Sequence, residues 1–128
     1  MAENLKYLVD VPKKDRKKYD TSHMDYDQKI AYFPDGYRKN STDVVSPRAL
    51  KHIQELEEMV QTESAPRAIL CFIVQRTDAC VFQPSNIDLT YKAAVQKAVS
   101  NGVEVYALQF EWNTQGECVF RKMLPVNL

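Results

Sequence analysis

The stretch Ala68-Ile69-Leu70-Cys71-Phe72-Ile73-Val74 decides the fold class. Seven consecutive apolar residues, with β-branched and aromatic members, read as a strand buried on both faces, with Cys71 in the core. Upstream, Ser46 has the character of a helix N-cap, and Pro47 fills the first helical position, where a missing N–H costs nothing. Ala49, Leu50, Ile53, Leu56, Met59 and Val60 recur at three- and four-residue steps. This spacing predicts a helix over about 46–62 with one buried face, and Glu55, Glu57, Glu58 and Gln61 largely on the other. Downstream, Asp88 opens a second helix with Tyr91, Ala94, Val95, Ala98 and Val99 on one stripe, and Asn101-Gly102 ends it. Val103–Trp112 is strand-like, Asn113–Glu117 holds Gly116 in a turn, and Cys118–Met123 makes the returning strand of a hairpin. A buried strand between two helices requires crossover connections, so the expected class is α/β: a mixed β-sheet flanked by two main helices.

The N-terminal third differs in texture. Leu5–Val11 is a short β-prone run closed by Pro12, which cannot donate to a sheet ladder. From Pro12 to Asp43 the chain is rich in Lys, Asp, Tyr, Asn and Ser, and its one apolar cluster is Ile30-Ala31-Tyr32-Phe33. The organisation expected is a single domain over 1–128. Within it, 1–45 is a strand plus a long polar and basic loop, and 46–128 is a helix-strand-helix-strand-strand core.

A length of 128 residues, 45% hydrophobic, suffices for one core without metal or disulfide staples. The 17 Lys and Arg are balanced by 17 Asp and Glu, which excludes a generally basic coat for nucleic acid and makes any polyanion site a local patch. Residues 1–52 carry 11 basic against 8 acidic side chains, and 53–128 carry 6 against 9. Cys71, Cys80 and Cys118 are odd in number and without CxxC spacing, which argues against a disulfide framework or structural zinc and suits a reducing compartment. No apolar stretch approaches the roughly 20 residues of a membrane span, and no secretory signal precedes Lys18. An intracellular protein, cytoplasmic or nuclear, is expected.

Lys13, Lys14, Arg16, Lys17 and Lys18, with Tyr19 behind them and Tyr37-Arg38-Lys39 further on, form the patch able to neutralise phosphates. The plainer alternative is a solvated loop, since Asp15, Asp20, Asp25 and Asp27 are interspersed. Arg48, Lys51 and His52 lie at a helix start, where N–H groups and the macrodipole already favour anions. The alternative there is a solvated helix edge. His23 and His52 have no partners at metal-ligand spacing.

Phe33-Pro34-Asp35, followed by Ser46-Pro47-Arg48-Ala49-Leu50-Lys51-His52-Ile53, resembles the sugar fermentation stimulation protein family. Its members carry Phe-Pro-Asp and then a Thr-x-Arg-Gly-x-Lys-His-Leu helix start. The resemblance continues through Ala68–Ala79, Phe82-Gln83-Pro84, Ile87-Asp88, Gly102–Ala107 and Leu124–Leu128. It implies a C-terminal, restriction-endonuclease-like domain without the OB-like barrel that precedes it in the family. It also implies an association with DNA binding and the regulation of sugar metabolism. In such a core an Asp and a Glu-x-Lys triplet hold a divalent metal and activate water. Here the corresponding strand reads Leu8-Val9-Asp10-Val11-Pro12-Lys13, with Pro12 where the lysine belongs, and no strand supplies the first Asp.

Three readings follow. The first is a catalytically degenerate, nucleic-acid-binding module using Lys13, Lys14, Arg16, Lys17, Lys18, Arg38, Lys39, Arg48, Lys51 and His52. The second is a magnesium- or manganese-dependent nuclease with Asp10 and Asp35 as metal ligands and Lys13 as the catalytic lysine. The third is an interaction module that forms a homodimer through open sheet edges.

Overall fold

The computed structural model describes residues 6–7, 9–19, 29–62, 64 and 67–128. The strands are β1 (Lys6–Tyr7), β2 (Lys29–Phe33), β3 (Ile69–Val74), β4 (Ala79–Pro84), β5 (Glu104–Trp112) and β6 (Cys118–Leu124), and the helices are α1 (Pro47–Val60) and α2 (Leu89–Ser100). A 3-10 helix spans Lys13–Lys18. The mixed α/β class and the two main helices hold, but the strands are shared between two three-stranded sheets, ordered β1-β2-β4 and β3-β5-β6. Each sheet is mixed: β2 runs parallel to β4 and antiparallel to β1, and β5 runs parallel to β3 and antiparallel to β6. A bridge between Phe82 and Val126 ties the C-terminal tail to β4.

Both helices start where their caps place them. The Ser46 side chain accepts from the Ala49 amide at 3.3 Å, and that of Asp88 accepts from the Tyr91 amide at 2.9 Å. Gly102 ends α2 at φ +105°, a conformation that L side chains rarely adopt. Tyr91, Val95 and Ala98 of α2 and Ile53 of α1 are buried, whereas Met59, expected on the buried face, is half exposed. The core joins the two sheets through rings. Phe72 of β3 stacks on Phe82 of β4 at 4.1 Å between centroids, and Phe33 of β2 meets Phe72 at 5.4 Å and Tyr91 at 5.2 Å.

Several expectations need correction. β3 is buried on one face only. Phe72 and Val74 point into the core, whereas on the opposite face Ile69 and Cys71 are exposed and Ile73 is only partly buried, because the core packs against one face of the strand. Among the described residues the ladder expected over Leu5–Val11 takes in Lys6–Tyr7, and residues 9–11 lie outside it; Leu5 and Leu8 fall outside the described residues. β2 and β4 occupy stretches read as loop and connection. β2 sits beside a polar segment, and β4 ends on Pro84, a residue that normally argues against a strand. Here the next amide, Ser85 N–H, donates to the Phe33 carbonyl at 2.7 Å and continues the pairing past the proline. Glu57, expected on the solvent side of α1, is buried. It accepts from Asn101 Nδ2 at 2.5 Å and pairs with Lys97 at 3.2 Å, which locks α1 to the end of α2.

Candidate nucleic-acid interface

The parallel pair β2 and β4 ends at one edge, with Phe33 opposite Pro84. The carboxyl ends of parallel strands are where α/β proteins gather ligands, because helix N-termini and loop donors converge there. At this edge the Val45 amide, just before α1, donates to Asp88 Oδ2 at 2.6 Å, so the starts of α1 and α2 meet. Asp88 is buried and serves both helices.

Three elements bring charged side chains to this edge. After β1 the chain carries Asp10 to the β4–α2 turn, where its carboxylate accepts from Ser85 Oγ at 2.5 Å and from the Asn86 amide at 2.6 Å. Those two donors explain why Asp10 leaves the ladder. Burial, with the Asp10 charge adding to it, pushes the Tyr32 hydroxyl up from its ordinary range. Asn86 Oδ1 in turn accepts from Lys92 Nζ at 2.7 Å. The 3-10 helix docks through Arg16, whose guanidinium bonds the Asp35 carboxylate two residues beyond β2. The buried Nε of Arg16 meets no acceptor among the described residues.

This geometry brings together part of the set expected from sequence. Asp10, Asp35 and Arg16 sit at the common edge. Lys13, Lys14, Lys17 and Lys18 are exposed on the docked 3-10 helix, with Lys18 paired to Asp15 at 2.7 Å. The pair holds the Asp15 carboxyl below the usual carboxylate range. Arg38 Nη1 donates to the Asp43 carbonyl at 3.4 Å, and Lys39 is exposed in the same turn. Arg48, Lys51 and His52 are exposed on the first turns of α1, where Lys51 lies 3.6 Å from Glu55. His23, Asp20, Asp25 and Asp27 lie outside the described residues.

The described residues do not fit a divalent cation at this edge. Asp35 is engaged by a guanidinium and Asp10 by a hydroxyl and an amide. No group of three His, Cys, Asp or Glu able to hold a metal occurs among the described residues. A cation at Asp35 would have to displace Arg16, which already supplies the positive charge.

Reasoning from sequence missed the Arg16–Asp35 pair and the Asp10–Ser85–Asn86 contacts. Each joins residues far apart in the chain, so no local spacing announces it. It also missed the cluster in which Asp78, buried, accepts from Arg76 at 2.8 and 2.5 Å and from Lys29 at 2.6 Å.

Comparison with known proteins adds to this picture. The family model for the sugar fermentation stimulation protein RE domain matches residues 20–116. The sugar fermentation stimulation protein homolog of Citrifermentans bemidjiense is 39% identical over 100 residues, covering 77% of this chain and 38% of that protein. The homolog from Shewanella halifaxensis is 36% identical over 103 residues, covering 80% and 39%. Among solved structures, Pyrococcus furiosus SfsA in complex with Ca2+ is similar with a TM-score of 0.60 and 23% identity, over 78% of this chain and 46% of that one. The chain thus spans well under half the length of the curated relatives it matches.

Proposed function

Since this chain belongs to the sugar fermentation stimulation protein family, we propose that it is a nucleic-acid-binding, nuclease-like domain whose metal-dependent chemistry has been lost. One observation carries the reading: the Arg16 guanidinium closes on Asp35, a carboxylate expected from sequence as a metal ligand, and a run of exposed lysines lies on the same 3-10 helix. A guanidinium paired with Asp35 gives the edge no Lewis acid with which to activate water, and leaves the attraction of phosphate to the neighbouring basic side chains. Lys13, Lys14, Lys17 and Lys18 on the 3-10 helix, Arg38 and Lys39 in the following loop, and Arg48, Lys51 and His52 on α1 provide the phosphate contacts. The N-termini of α1 and α2 reinforce them.

Salt tests this mechanism. Affinity for a short duplex is expected to fall steeply and log-linearly from low to moderate salt, as counterion release requires. Lys13→Ala combined with Lys17→Ala should flatten the slope by about 2, one for each contact removed. A salt-independent affinity overturns the electrostatic reading. Cleavage of DNA with magnesium or manganese that Asp10→Ala and Asp35→Ala abolish establishes the metal-dependent nuclease instead.

A self-associating module has one observation behind it, the exposed Ile69 and Cys71 on the edge strand β3. Sedimentation as a monomer across a wide concentration range removes that reading.

A further inference from the structure

Away from the edge carrying Asp10, Arg16 and Asp35, the turn between β3 and β4 faces the β5–β6 hairpin across two adjoining cavities that share Thr77. The larger, about 550 Å³, is lined by Ala79, Gln109, Phe120, Arg121 and Lys122 among others. The smaller, about 330 Å³, is bounded by Lys29, Arg76, Asp78, Glu111 and Trp112. Two features of the lining stand out physically. Trp112 and Phe120 leave about half of their surface in water, at 52% and 51% exposure, whereas Phe33, Phe72 and Phe82 are buried; Phe120 meets the partly buried Phe110 edge-on at 5.7 Å between centroids. Four cations line the walls against two carboxylates. Asp78 is already neutralised by Arg76 and Lys29, and Glu111 pairs with Arg121 at 3.0 Å. The groove therefore offers aromatic faces beside an excess of positive charge.

We propose that this groove binds an unpaired, single-stranded segment of nucleic acid. One base stacks on Trp112, a neighbouring base packs on Phe120, and phosphates meet Arg76, Arg121 and Lys122. Wet aromatic platforms interleaved with cations are how single strands are held without sequence preference, because every base has a stacking face and every linkage a charge. A duplex hides its base faces and gains nothing from the platforms. The same groove on a protein that met only duplex would expose these rings without return. The inference deepens the nucleic-acid reading above but rests on a different surface. Here the single strand is held by stacking, whereas the basic 3-10 helix acts through charge alone.

Trp112 is the one tryptophan in the chain, so its emission reports on this groove alone. Titration of the full chain with an oligothymidylate is expected to quench that emission, while a blunt duplex of equal length leaves it unchanged. Phe120→Ala and, separately, Lys122→Ala are expected to weaken single-strand affinity about tenfold and a few-fold respectively. Duplex affinity, measured by anisotropy of a labelled probe, should stay as in the parent. Both positions are exposed, and matching thermal melts verify that the variants fold. Single-strand binding that neither quenches Trp112 nor responds to Phe120→Ala overturns this groove and leaves the duplex reading standing. Quenching by single strands without any duplex binding upholds the groove and overturns the electrostatic reading. Binding of neither nucleic acid overturns both.

Discussion

Two cations close on the carboxylate of Asp78: Arg76 through a two-pronged contact and Lys29 through its ammonium. The Arg76 hydrogen bonds are the larger influence, with Lys29 adding to them. Together they outweigh the cost of burial and hold the Asp78 carboxyl far below the usual carboxylate range. The folded state thus keeps this group ionised at pH values where an unfolded aspartate, with a pKa of about 3.9, takes up a proton. The unfolded chain binds more protons in that window. The stabilisation is therefore complete above about pH 4 and is lost progressively as pH falls below it. Asp78→Asn is expected to cost about 2–4 kcal/mol at pH 7, because it removes a buried carboxylate on which two cations converge. It should also reduce the further loss between pH 7 and pH 3. Urea midpoints of parent and variant at the two pH values check this, and parallel losses in both proteins would remove Asp78 as the source. Glu104 is held down to about 2 by Arg67 and Tyr106, but this pair faces solvent, where screening leaves it little share in the acid sensitivity.

At the level of elements, Asp88 does more than cap a helix. Its two carboxylate oxygens serve different segments, Oδ1 the start of α2 and Oδ2 the Val45 amide ahead of α1. Removing them loses one cap, about 1 kcal/mol, and strands a partly buried amide, about 1–3 kcal/mol more. Asp88→Ala should therefore cost about 2–4 kcal/mol, against about 1 kcal/mol for Ser46→Ala, which loses a cap only. Chemical denaturation of both variants separates a shared tie from two independent caps. Equal losses would mean that the bond to Val45 contributes nothing.

Across the whole molecule, rings packed between the two small sheets join them in one core. Phe82, fully buried, stacks on Phe72 of the other sheet. Neither three-stranded sheet covers its own apolar face, so each depends on the other and on the helices. Phe82→Ala is expected to cost about 3–5 kcal/mol. Unfolding followed by Trp112 emission in β5 and by far-ultraviolet dichroism should give coincident transitions before and after the change. Separate transitions would show that the sheets unfold independently. Among the described residues no helix is long and apolar enough to cross a membrane.

The amino-acid order alone was enough for α1, α2, β3 and the β5–β6 hairpin, because each is announced locally by a cap, a period or a turn glycine. Ser46, Asp88, Gly102 and Gly116 act within a few residues of themselves. Motifs such as Phe33-Pro34-Asp35 also carried the family, and the basic run Lys13–Lys18 was legible from its own composition. The partition into two sheets, the one-sided burial of Cys71, the burial of Glu57 and the strand pairing of β2 with β4 were settled by tertiary packing. In each case the deciding partner is remote. The candidate site divides along the same line. Its charges were legible in the chain, but Arg16 reaching Asp35 across 19 residues and Asp10 reaching Ser85 across 75 came only from the folded form. Hydrogen bonds between side chains depend on distance in space, and a sequence records only distance along the chain.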